Sequence, residues 1–166
     1  MGGWLLTFSK NTMRCVTDDE VSIWLGERAI PEAPYSGQHA PKFYCQFYPP
    51  SEHSHIDAFI RIYYARIISA QESLVHITDW ALYQDSEMMA IAGIRVLNDE
   101  SRCLIDASGH RLSAEESEKG VSLLGLTTAF GWTSYLYSSL NNSILYNWEG
   151  DIFDFWTDSK LSLIHI

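Results

Sequence analysis

Apolar residues at 56, 59, 60, 63, 64, 67 and 68 recur every three or four positions, and Asp57, Arg61 and Arg66 avoid that stripe. One apolar face at helical period predicts an amphipathic helix over 56–70. The rest of the chain is punctuated more closely. Trp4 to Phe8 predicts a first strand, and Thr17-Asp-Asp-Glu20 is a capping box that opens a short helix ending near Gly26. All five prolines fall between Pro31 and Pro50. Lost amide donors and fixed backbone angles therefore predict a long loop crossing a sheet edge, with 43–48 extended within it.

Ser73 to Thr78 is short and rich in β-branched residues, as a strand ending at Asp79-Trp80 would be. Met88 to Leu97 is too densely apolar for its period to separate a buried helix from a buried strand bent at Gly93, and of the two a helix is expected. Gly109-His110 reads as a turn. Ser113-Ala-Glu-Glu116 is a second capping box, opening a helix that runs to Phe130 and stops at Gly131. Strand-like runs at 134–140 and 143–148 are separated by Asn141-Asn142, which tolerate the positive φ of a tight hairpin. Glu149-Gly150 reverses the chain again into 151–156, whose apolar residues do not alternate and leave its register open. The elements predict an α+β or α/β fold. It has two layers, with the helices at 56–70 and 114–130 on one face of a mostly antiparallel sheet that ends in an aromatic meander. One globular domain is expected over 1–160. Residues 161–166, Leu-Ser-Leu-Ile-His-Ile, match one reading frame of a transposon-derived sequencing adapter and are kept out of the fold.

Charge changes the picture more than composition does. With 21 acidic and 11 basic residues the formal charge is -10, which opposes nucleic acid and anionic lipid and favours a basic protein as partner. No apolar run approaches the ~20 residues of a membrane-spanning helix, so no membrane partner is expected. Cys15, Cys45 and Cys103 form no Cys-x-x-Cys pair. Three reduced thiols fit a cytoplasmic location. The scattered glycines form no phosphate-cradling loop, and no cofactor is expected.

Candidate chemistry is sparse. Glu52-His53-Ser54-His55 could place two imidazoles on one ion, but the sequence positions no third ligand and no metal is expected. His110 with Asp79 or Asp106 could form the acid/base pair of a small hydrolase or transferase, although no nucleophile elbow accompanies it. Asp151 and Asp154 would face opposite sides of a strand, which disfavours a paired-acid glycosidase site. From Gly131 to Trp156 the chain concentrates aromatic rings and carboxylates with no Lys or Arg among them. Such a segment can supply rigid anchors and a complementary field, so Trp148, Glu149, Asp151, Asp154 and Trp156 are the candidate partner-binding residues. Burial is expected for most of the remaining rings.

The order of four features resembles a group of small acidic bacterial proteins, some of them similar to immunity proteins of toxin systems. These features are the strand ending in Thr78-Asp79-Trp80, the Ser108-Gly109-His110 segment, the helix closing on Phe130-Gly131-Trp132, and the terminal aromatic hairpin. In that group the final turn tends to read Ser-His-Asp-Glu, where this chain has Asn147-Trp148-Glu149-Gly150. The resemblance implies a non-enzymatic protein that binds and neutralises a cationic toxin domain.

Overall fold

The computed structural model describes residues 13–36, 40–68, 71–80 and 84–160. The strand expected at Trp4–Phe8 and the segment 161–166 lie outside the described residues. Seven strands, β1 (Arg14–Val16), β2 (Phe43–Phe47), β3 (Ser73–Asp79), β4 (Gly109–Leu112), β5 (Thr133–Ser138), β6 (Ser143–Trp148) and β7 (Ile152–Thr157), form one sheet. Its order is β1-β4-β3-β5-β6-β7-β2, and every pairing is antiparallel. With four α-helices among the described residues, the fold is α+β.

The helices begin where local chemistry directs. In α1 (Asp18–Glu27) the Glu20 amide donates to Thr17 Oγ1 at 3.2 Å and the Thr17 amide to Glu20 Oε2 at 3.0 Å. That exchange satisfies two otherwise open donors. α2 (His53–Tyr63) carries the predicted stripe and runs on into a π-turn at Tyr64–Ile68. α3 (Asp85–Val96) confirms the helix expected at 88–97. A 3-10 turn (Ala114–Glu116) leads into α4 (Ser117–Ala129), with the Ser113 amide donating to Glu116 at 3.0 Å. Gly131, at φ +67°, closes that helix. Among the described residues no helix is long and apolar enough to cross a membrane.

Strand alternation sorts the core into two halves. Val75, Ile77, Leu136, Leu145, Phe153 and Phe155 face one side, where Ile60, Tyr63 and Ile67 of the α2 segment, Ile91 of α3 and Leu123 and Leu124 of α4 bury them. On the opposite face, Leu74, Tyr137, Ile144 and Trp156 join Val21, Trp24 and Leu25 of α1. α1 thus adds a partial third layer. Gly109 and His110 are a correction to the sequence reading, for they form strand β4 between β1 and β3 and not a turn. Glycine is needed there for packing, because a Cβ on Gly109 would come within 2.6 Å of both Val16 and Val21.

Both expected hairpin turns form. Asn141 and Asn142 adopt φ of 57° and 48°, and Glu149 and Gly150 adopt 52° and 77°. Among its described residues, the 31–50 segment is irregular outside the turn Pro34–Ser36 and β2. β2 occupies the edge of the sheet beside β7, with prolines Pro41 and Pro49 outside its two ends.

Candidate functional site

On the α1 side of the sheet, β5, β6, β7 and β2 direct a run of aromatic residues away from α2 and α4. Registered pairing lays them out in cross-strand rows. Tyr137, Ile144, Trp156 and Tyr44 form one row, and Tyr135, Tyr146, Asp154 and Gln46 the next. Trp148 opposite Ile152 lies beyond them, next to the turn that holds Glu149 and Asp151. Period-two alternation put these residues on one face. It was obscured in 151–156 because the other face of β7, bearing Phe153 and Phe155, is equally apolar.

Rings on this face contact one another. Tyr135 stacks on Tyr146 at 4.4 Å between centroids, Tyr35 meets Trp156 edge-on at 4.7 Å, and Tyr44 lies tilted over Trp156 at 5.2 Å. Tyr35 arrives from the Pro34–Ser36 turn, so the proline-rich segment crosses the sheet face as well as supplying its edge. Tyr35, Tyr44 and Trp148 remain 55%, 50% and 50% exposed.

The five expected partner-binding residues separate into two sets. Trp148, Glu149 and Asp151 lie at the surface. Asp154 and Trp156 do not, which corrects their assignment as exposed contacts: they are 2% and 4% exposed, covered by the rings of Tyr35 and Tyr44. The Asp154 carboxylate accepts hydrogen bonds from the Tyr35 hydroxyl, from the Tyr44 hydroxyl at 2.7 Å and from Gln46 Nε2 at 2.9 Å. All three donors are neutral, and among the described residues no cation pairs with Asp154. Burial and the adjoining carboxylate push the Tyr44 phenol up to about 12 and raise Tyr35 as well. Tyr35, Tyr44 and Gln46 escaped sequence reasoning because they lie more than 100 positions from Asp154. For Tyr44 and Gln46 the local signal is the alternation Phe43-Tyr-Cys-Gln-Phe47.

The turn beside this face is held from beneath. Asn147 is fully buried, donates to the Trp132 carbonyl at 3.2 Å, and accepts from the Gly150 amide at 2.9 Å through Oδ1. Its Nδ2 also lies within reach of the Thr127 and Thr128 hydroxyls at the end of α4. Gly150 packs so closely on α4 that a Cβ would meet the Thr128 carbonyl at 2.3 Å. Glu149 and Asp151 are therefore displayed on a turn of fixed geometry.

The other candidates are placed differently. His110 is fully buried; its Nε2 faces Arg95 Nη1 at 3.0 Å and its Nδ1 has no partner, so neither nitrogen meets a carboxylate. Desolvation and the Arg95 charge lower His110 to about 3. Asp79 and Asp106 both lie at the surface, where Asp106 accepts from Cys103 Sγ at 2.7 Å. This arrangement does not make His110 a general base for external substrate. His55 Nδ1 lies 3.6 Å from Glu52 on the exposed first turn of α2. His76, an upstream candidate for the acid/base site with His110, instead joins Asp18 and Ser108. Ser108 Oγ donates to Asp18, and His76 Nε2 lies 3.1 Å from the same carboxylate oxygen. The Ser108 hydrogen bond, followed by His76, holds the Asp18 carboxyl below its usual range. Both partners meet the same Asp18 oxygen. The group ties α1 to β3 and to the residue before β4. Compared with known proteins, the chain matches no family model, no curated protein and no solved structure.

Proposed function

We propose that the protein is a non-enzymatic binding module that engages a basic protein through the aromatic sheet face and the acidic turn beside it. The observation that carries this reading is the union of half-exposed Tyr35, Tyr44 and Trp148 with Glu149 and Asp151 on a turn fixed by Asn147. Tyrosine and tryptophan supply large contact area with little rotamer entropy to lose, and a rigid base keeps the cost of ordering low. Carboxylates at the rim steer a cationic partner and reject an acidic one. The resemblance of the strand, helix and hairpin order to immunity proteins favours a toxin domain as that partner, neutralised in the cytoplasm.

Co-expression with a basic toxin domain encoded beside the gene tests the reading. Rescued growth and a complex on size exclusion are expected. Trp148→Ala combined with Tyr44→Ala should weaken that complex by about thirtyfold or more, the scale of a hot-spot residue. Unaltered killing with no complex removes the immunity reading.

A further inference from the structure

Asp154 is an unusual carboxylate for a sheet interior. It is 2% exposed, its three hydrogen-bond donors are neutral, and among the described residues no Lys, Arg or His pairs with it. Neutral donors stabilise a buried carboxylate but leave its net charge in place. Two of these donors, the Tyr35 and Tyr44 hydroxyls, belong to rings that are themselves half exposed. Both rings pack against Trp156 and bring their hydroxyls to the carboxylate.

We propose that this tyrosine-covered carboxylate is the anchor site for an arginine side chain of the partner, a refinement that rests on the binding reading above. The guanidinium is planar, remains charged when desolvated, stacks on tyrosine faces and donates a charge-assisted hydrogen bond to a carboxylate oxygen. Tyr35 holds Oδ2 through its hydroxyl, while Tyr44 and Gln46 share Oδ1. An incoming guanidinium reaches Oδ2 when the Tyr35 side chain swings off it, since the phenol oxygen is fixed in the plane of its ring, and the displaced ring stays beside the site as a stacking surface. Lysine, a strongly hydrated point charge, can make the ion pair but cannot stack as a plane, so it binds more weakly. No bond is made or broken. A buried net charge lacking its counter-ion gains one.

The test uses the full chain and free argininamide as the probe, followed by aromatic and amide NMR. Saturable shifts centred on Tyr35, Tyr44 and Trp156 are expected, with lysinamide weaker and the neutral isostere citrullinamide inactive. Asp154→Asn should weaken argininamide at least tenfold in a protein whose melting curve remains cooperative. Tyr35→Phe, which keeps the ring and removes the competing hydroxyl, should tighten it by about twofold to tenfold, one hydrogen bond's worth. The second variant keeps the test decisive if Asp154→Asn fails to fold. Equal shifts with citrullinamide, shifts confined to Trp148 and Glu149, or looser binding by Tyr35→Phe overturn the proposal and leave Asp154 as a clamp for the Pro34–Ser36 turn. If a basic protein binds while these titrations fail, the anchor is wrong and the module stands. If argininamide binds at Asp154 but no basic protein does, the module is wrong and the anchor stands.

Discussion

Arg95 is among the most heavily committed side chains of the described residues. It is 3% exposed and donates to the carbonyls of Ala107 at 2.7 Å, Arg102 at 3.0 Å and Cys103 at 3.1 Å, as well as facing His110 Nε2 at 3.0 Å. One guanidinium thus replaces regular secondary structure across the segment between α3 and β4. Arg95→Leu is expected to cost about 3–5 kcal/mol in chemical denaturation, since three carbonyls and an imidazole lose their donor together. His110 gives a separate pH signature. Burial, then the Arg95 charge, holds the folded imidazole down at about 3 against an ordinary 6.5, so on acidification the unfolded chain binds the proton first. Stability supplied by the neutral ring is complete above 6.5 and is lost as pH falls from there toward the folded value. Between pH 7.5 and pH 5 this site should remove about 2 kcal/mol. His110→Gln can still accept from Arg95 and cannot titrate, so it should show that much less acid sensitivity in paired urea curves; identical pH dependence in the two proteins would contradict the assignment.

At the scale of elements, glycines in two helices distinguish propensity from packing. Gly93 on α3 has nothing within 4 Å of an added Cβ, so Gly93→Ala is expected to stabilise by about 0.5–1 kcal/mol. Gly120 on α4 crosses the α2 segment, where a Cβ would lie 2.0 Å from the Tyr64 hydroxyl and 2.3 Å from its ring. Overpacking costs about 1–3 kcal/mol and exceeds the helical gain, so Gly120→Ala should destabilise, with partial recovery in the Gly120→Ala/Tyr64→Leu double variant. Melting temperatures moving the same way in both single variants would refute the contrast. What the sequence revealed follows the same division. The Thr17 and Ser113 caps, the α2 stripe and the asparagine turn were legible because each is decided within a few residues. β4 was not, because Gly109 answers to Val16 and Val21 across the sheet and resembles a turn glycine when read locally. Trp148, Glu149 and Asp151 were legible as surface residues near a turn. The fate of Asp154 was not, since its cover comes from the opposite end of the chain.

Over the whole molecule the charges are unevenly matched. Arg28 and Arg111 converge on Glu72, Arg61 spans Asp57 and Glu118, Arg14 meets Glu20, Arg102 meets Glu100 and Lys119 meets Glu116. Among the described residues no Lys or Arg pairs with Glu149, Asp151, Asp154 or Asp158. Of the -10 formal charge, a share without a local counter-ion therefore lies at the distal hairpin beside the aromatic face. Association with a basic partner should divide accordingly into a steered encounter and a contact-controlled release. Raising salt from about 0.05 M to about 0.5 M should lower kon by about tenfold while changing koff little, because screening acts on the approach and not on packed rings. Glu149→Lys with Asp151→Lys should reproduce the slow kon at low salt. Tyr44→Ala should leave kon near its original value and raise koff by about thirtyfold. Stopped-flow association and dissociation with the co-purified partner separate the two effects, and a kon indifferent to salt and to both charge reversals would show that the acidic turn does not guide the encounter.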